Sequence, residues 1–153
     1  MYETVPQELK DLPNWVGWKL ELNKDNKPTK IPYSKTGVKA STTNPSQWKH
    51  FSDVCNIVSS KEKGIGFVFD GNGFVGIDLD HCFNPDGTIK KEFQEILSTL
   101  VSYTEVSPSG NGLHIFIKCK DHPYYSKDEP TTEHPEGMEH FGKKKNGLEI
   151  YSK

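Results

Sequence analysis

Three stretches far apart in the chain share one pattern: an ionisable side chain set between two aliphatic ones. They are Ile77-Asp78-Leu79, continued by Asp80, then Leu113-His114-Ile115, and Leu148-Glu149-Ile150. Side chains alternate across an extended chain, so each stretch turns its aliphatic pair to one face and its ionisable group to the other. That alternation suits half-buried antiparallel strands, because strands covered on both faces are apolar throughout. If the three strands are neighbours in one sheet, Asp78, Asp80, His114 and Glu149 converge on a single open face.

A lone acid or histidine between two aliphatics usually marks only the wet side of a sheet. The pairing of Asp78 with Asp80 shifts that balance, since like charges side by side cost stability unless a cation lies between them. Carboxylate oxygens suit hard divalent ions, and carboxylates that leave coordination positions open to phosphate oxygens are the usual setting of Mg²⁺ or Mn²⁺ in phosphoryl and nucleotidyl transfer. Immediately before His114 runs Ser107-Pro108-Ser109-Gly110-Asn111-Gly112. Its glycines allow backbone N–H groups to turn toward an anion, Ser109 can donate a hydroxyl, and His114 can donate a ring N–H to a triphosphate. The same residues also make ordinary tight hairpin loops.

The rest of the chain interleaves strands and helices, which predicts an α+β fold with a mainly antiparallel sheet. Trp15 to Leu22 and Thr29 to Tyr33 read as a hairpin around Asp25-Asn26-Lys27-Pro28. Asn44-Pro45 followed by Trp48, Phe51, Val54, Cys55 and Val58 predicts a helix over 45–60. Gly64 to Phe69 and Phe74 to Asp80, joined by Asp70-Gly71-Asn72-Gly73, read as a further hairpin. Ile89, Phe93, Ile96, Leu97 and Leu100 predict a helix over 88–101. Tyr103 to Val106, Leu113 to Lys118 and Leu148 to Tyr151 read as strands, and 121–146 as a polar insertion. At 153 residues the chain fits one domain, with an N-terminal half over 1–62 and a second half, which carries the candidate carboxylates, over 63–153.

Composition narrows the function classes. No apolar run approaches the roughly 20 residues of a membrane span, and the N-terminus lacks the basic start and apolar stretch of a signal peptide. Cys55, Cys82 and Cys119 are odd in number and widely spaced, so reduced thiols and a cytoplasmic setting are expected. The net charge of −2 does not by itself announce a nucleic-acid binder. Yet between Lys19 and Lys39 six lysines face only Glu21 and Asp25, and the chain has no arginine. Anion recognition would therefore use flexible point charges rather than bidentate forks.

Gly76-Ile77-Asp78-Leu79-Asp80-His81, Ser107-Pro108-Ser109-Gly110-Asn111-Gly112-Leu113-His114 and Leu148-Glu149-Ile150-Tyr151 together resemble the three motifs of the primase-polymerase domain. This is the archaeo-eukaryotic primase superfamily, in the form found at the N-termini of replication proteins of phages and mobile elements. The resemblance extends to Trp15-Val16-Gly17-Trp18, Thr29-Lys30-Ile31-Pro32-Tyr33, Ala40-Ser41-Thr42 and Gly64-Ile65-Gly66-Phe67. It implies an RRM-like sheet and template-directed synthesis of primers or DNA from NTP or dNTP on single-stranded DNA. Carried over by position, it implies that Asp78, Asp80 and Glu149 are catalytic ligands of Mg²⁺ or Mn²⁺. His114, Ser109, Gly110 and Gly112 would hold the nucleotide.

Lysines around Lys24, Lys27, Lys30, Lys35 and Lys39 could follow the template backbone. Similar domains continue past the third motif with an arginine and further strands, so an incomplete C-terminus is expected. A helicase would lie on a missing region or on a separate chain. The setting expected is the cytoplasm of a bacterium or phage-infected host.

Three other readings stand beside this one. The chain could be a non-catalytic RRM-like binder that stacks bases on Trp15, Trp18, Tyr33 or Phe116, or a truncated remnant. It could be a metal-dependent nuclease using the same carboxylates. Cys119, His122, His134 and His140 could also bind a structural zinc ion, although their spacing matches no common finger.

Overall fold

The computed structural model describes residues 2–56, 58, 63–71, 73–119 and 146–152. They fall into two compact units, Met1–Val68 and Phe69–Lys153. As expected, the protein is α+β with antiparallel sheets. Among the described residues no helix is long and apolar enough to cross a membrane.

The first unit begins with a one-turn helix α1 (Gln7–Lys10), followed by strands β1 (Trp15–Leu22), β2 (Pro28–Lys35) and β3 (Val38–Lys39). After a 3₁₀ turn at Pro45–Gln47 come helix α2 (Phe51–Cys55) and strand β4 (Lys63–Phe67). The sheet order is β3-β2-β1-β4. Asn14 fastens the exit of β4, its side-chain amide donating to the Val68 carbonyl at 3.0 Å while Val68 N–H donates to the Asn14 carbonyl.

Two expectations fail here. The helix predicted over 45–60 is broken, because Trp48 and His50 are extended and Lys49 exchanges backbone hydrogen bonds with Trp15. Burial of Trp48 with Val16 and Val68, with its indole N–H donating to the Ser41 carbonyl, outweighs helical continuity. The hairpin expected over 64–80 does not form either. Residues 63–67 pair with β1, and residues 74–79 belong to the second sheet. Gly64 explains the choice: a Cβ there would lie 2.4 Å from the Trp18 ring, so only glycine lets that indole cover the strand. The division expected at residue 62 accordingly moves to residue 68.

The second unit contains β5 (Phe74–Leu79), α3 (Lys91–Thr99), β6 (Tyr103–Val106), β7 (Leu113–Lys118) and β8 (Leu148–Tyr151). The helix expected over 88–101 is thus present and slightly shorter. Sheet order is β6-β7-β5-β8 and every pairing is antiparallel. Since β5 and β6 both oppose β7, they run parallel to each other and are joined through α3, a split βαβ unit of the kind RRM-like sheets contain. Ile77, Leu79, Leu113 and Ile115 pack with Phe93 and Cys82, joined by Ile96, Leu97, Leu148 and Ile150, so α3 covers one face of the sheet. The opposite face carries the ionisable groups. The expected insertion 121–146, except its last residue, lies outside the described residues, as do His122, His134 and His140 of the zinc reading.

Candidate active site

Backbone register puts the site together. Asp78 is the cross-strand partner of His114 on β7 and of Glu149 on β8, and His114 is in turn the partner of Glu105 on β6. Glu105, His114, Asp78 and Glu149 therefore form one row straight across the four strands. Asp80 stands one residue beyond β5, where its N–H donates to the Gly147 carbonyl at 2.7 Å. His81 follows in the left-handed backbone region, with φ 52°.

Within the row, His114 Nδ1 lies 3.2 Å from Glu105 Oε1, and His114 Nε2 lies 3.7 Å from Asp78 Oδ1. Tyr103, two residues before Glu105 on the same face, donates its hydroxyl to Glu105 Oε2 at 2.8 Å. At the other end, Tyr151 hydrogen-bonds Glu149. Burial first, then the Glu149 carboxylate, pushes the Tyr151 phenol well above its ordinary range, so it stays a donor. Asp78 Oδ1 is buried and accepts no hydrogen bond. A shielded carboxylate oxygen of that kind, directly opposite a second carboxylate, is costly by itself and chemically suited to a hard cation. Among the described residues, however, no three His, Cys, Asp or Glu side chains converge closely enough to close round a metal ion. The row instead offers a facing carboxylate pair with open positions.

A second row runs beside the first. Tyr103, Phe116, Gly76 and Tyr151 are register partners across the same strands. The Phe116 ring centroid lies 5.6 Å from that of Tyr103 and 5.7 Å from that of Phe69. Phe69 lies over Gly76, where a Cβ would come within 2.4 Å of its ring.

The turn between β6 and β7 holds the remaining residues expected at the nucleotide. The Ser109 hydroxyl is 2.9 Å from that of Ser107 and also accepts from Asn111 N–H. Gly110 has φ +77° and donates its N–H to the Ser107 carbonyl, so that N–H closes the turn rather than pointing outward as expected. Gly112 is buried, and a Cβ there would meet the Leu79 carbonyl oxygen at 2.6 Å. Its lack of a side chain is needed for packing.

The lysines expected on template lie in the first unit. Lys27 is in the β1–β2 turn, Lys30 Nζ lies 5.2 Å from the Trp18 ring centroid, and Lys35 is exposed at the end of β2. Glu21 binds both Lys19 and Lys39 at 2.9 Å, so two of the six lysines in that stretch are engaged by a carboxylate. Trp15, offered by the binder reading as a stacking residue, is instead core: it is 4% exposed and donates its indole N–H to the Leu9 carbonyl. Tyr33, also offered for stacking, is buried. The sequence reading missed Glu105 and Tyr103. Only strand register, which a single strand does not reveal, could have found them.

An antiparallel RRM-like sheet with an acid–imidazole row on its open face defines the class, an α+β domain of RRM-like type. No protein-family model matches the chain. A DNA primase-polymerase of Nitratiruptor phage NrS-1 is 40% identical to it over 110 residues, covering 69% of this chain and 15% of the phage protein. The chain belongs with the primase-polymerase domains, of which it spans only a small part of that longer relative.

Proposed function

We propose that the chain supplies the nucleotidyltransferase centre of a DNA primase-polymerase, joining NTP or dNTP on a single-stranded DNA template. The observation that carries this reading is the register of Asp78 against both His114 and Glu149. The likeness to the phage DNA primase-polymerase supports it.

In this reading Asp78, Asp80 and Glu149 hold Mg²⁺ or Mn²⁺. When bound, the ions would lower the pKa of the attacking hydroxyl and neutralise the leaving pyrophosphate. When doubly protonated, His114 donates one ring N–H to Glu105 and turns the other toward the triphosphate, and the Ser109 hydroxyl and the Gly110–Gly112 turn flank it. Lys27, Lys30 and Lys35 contact template phosphates as point charges. The facing carboxylates Asp78 and Glu149 repel free phosphate, so they admit a nucleotide only with its cation. A helicase elsewhere would open duplex ahead of the site, in the cytoplasm of a bacterium or infected host.

Incubation of the chain with single-stranded DNA, labelled nucleotides and Mn²⁺ or Mg²⁺ tests the proposal against the Asp78→Asn/Asp80→Asn double variant. Metal-dependent products from the wild type alone are expected. Equal synthesis by the double variant, or none by the wild type, overturns it. Fragments shorter than the supplied DNA would instead indicate the nuclease chemistry.

A further inference from the structure

We infer that Glu105 is a positioning residue for His114, anchoring the ring through Nδ1 so that Nε2 is the nitrogen presented toward Asp78 and the nucleotide. The inference rests on the nucleotidyl-transfer reading for its consequence, but its geometry stands by itself.

An imidazole carries its two nitrogens on different edges, and a flipped ring would offer the wrong one. A carboxylate only accepts, so the 3.2 Å contact between Glu105 Oε1 and His114 Nδ1 requires the proton on Nδ1. Glu105 is itself held. Its other oxygen, Oε2, accepts from the Tyr103 hydroxyl at 2.8 Å, and Tyr103 is packed against Phe116. The result is a strut of three side chains, Tyr103 to Glu105 to His114, running along β6 and across to β7. It ends with His114 Nε2 at 3.7 Å from Asp78 Oδ1. A ring fixed before substrate arrives loses no rotational freedom on binding, which is how supporting hydrogen bonds improve a site they do not enter. A plain cross-strand charge pair would not explain the second hydrogen bond, from Tyr103 to Glu105.

The experiment compares wild type, Glu105→Ala, Glu105→Gln and Tyr103→Phe by two independent measurements. The first is ¹⁵N NMR of the His114 ring at about pH 8, where an unperturbed histidine is neutral. Wild type should show protonated Nδ1, Glu105→Ala a mixture of tautomers, and Glu105→Gln the wild-type pattern, because its amide oxygen still accepts. The second is steady-state primer synthesis. Glu105→Ala should raise the nucleotide KM about tenfold, the scale of one lost charge-assisted hydrogen bond, with a smaller change in kcat. Glu105→Gln should recover most of that loss, and Tyr103→Phe should fall between. An unchanged tautomer and KM in Glu105→Ala overturns the inference, as does a Glu105→Gln variant as impaired as the alanine one. If Glu105→Ala does not fold, Glu105→Gln and Tyr103→Phe still decide it. Wild-type inactivity would reject the proposed reaction, while the ring NMR would still report whether Glu105 anchors His114.

Discussion

Asp78 and Glu149 face each other directly across the β5–β8 pairing, two carboxylates at one register position with His114 on the far side of Asp78. Directly opposed like charges weaken an antiparallel pair. A sheet that retains them places the cost at the position where a cation would repay it.

Glu149→Gln should therefore separate stability from activity. The amide keeps an acceptor for the Tyr151 hydroxyl and removes the repulsion toward Asp78, so metal-free stability should rise by about 0.5 kcal/mol. Primer synthesis should fall by about a hundredfold or more, the loss expected when a metal-binding carboxylate is neutralised. Urea unfolding with and without Mn²⁺ checks the first part, and wild type should gain more from the ion than the variant does. A destabilised but fully active Glu149→Gln protein would contradict both halves.

The two glycines of the β6–β7 turn should respond differently to alanine. At Gly112 the added Cβ meets the Leu79 backbone oxygen at 2.6 Å, and backbone cannot swing away. Gly112→Ala should cost about 1–3 kcal/mol, the range of overpacked sites. At Gly110 nothing lies within 4 Å, but φ is +77°, so alanine should cost about 1 kcal/mol through backbone strain alone. Gly110→Asn should cost less than Gly110→Ala, because asparagine tolerates that region, whereas Gly112→Asn should be worse than Gly112→Ala. Equal losses at both positions in chemical denaturation would show that packing against Leu79 does not limit the turn.

Local alternation made much of the second sheet legible in advance. The strands around Asp78, His114 and Glu149 show themselves by one polar residue between two aliphatics, and the ridge from Phe93 to Leu100 shows itself by helical spacing. What stayed hidden depends on pairing between distant segments. Gly64 to Phe67 looks like half of a hairpin until Trp18 claims the space above Gly64. Trp48 fits a helical pattern, yet its burial beside Val16 pulls the chain into an extended bridge with Trp15. Glu105 sits between Thr104 and Val106 and looks like any rim residue. Its meaning appears only when register sets it against His114.

In the first unit, Glu21 should titrate far below an ordinary glutamate. The Tyr33 hydroxyl donates to Oε1, and Lys19 and Lys39 contact Oε1 and Oε2. Together, with the Tyr33 hydrogen bond the largest influence, they hold the carboxyl at about 2. A pKa lowered by folding adds stability at pH values above the unfolded value, about 4.3 for a glutamate. That contribution fades as pH falls from there through about 2. Carboxyl ¹³C NMR of the wild type should accordingly show a Glu21 midpoint near 2. Tyr33→Phe keeps the buried ring and removes the donor, so it should move the midpoint upward and shift the onset of acid unfolding to higher pH. Raised salt should move the wild-type midpoint only part of the way, since it screens the two lysines and leaves the tyrosine hydrogen bond in place. A Tyr33→Phe protein with Glu21 still near 2 would assign the effect to the lysines instead.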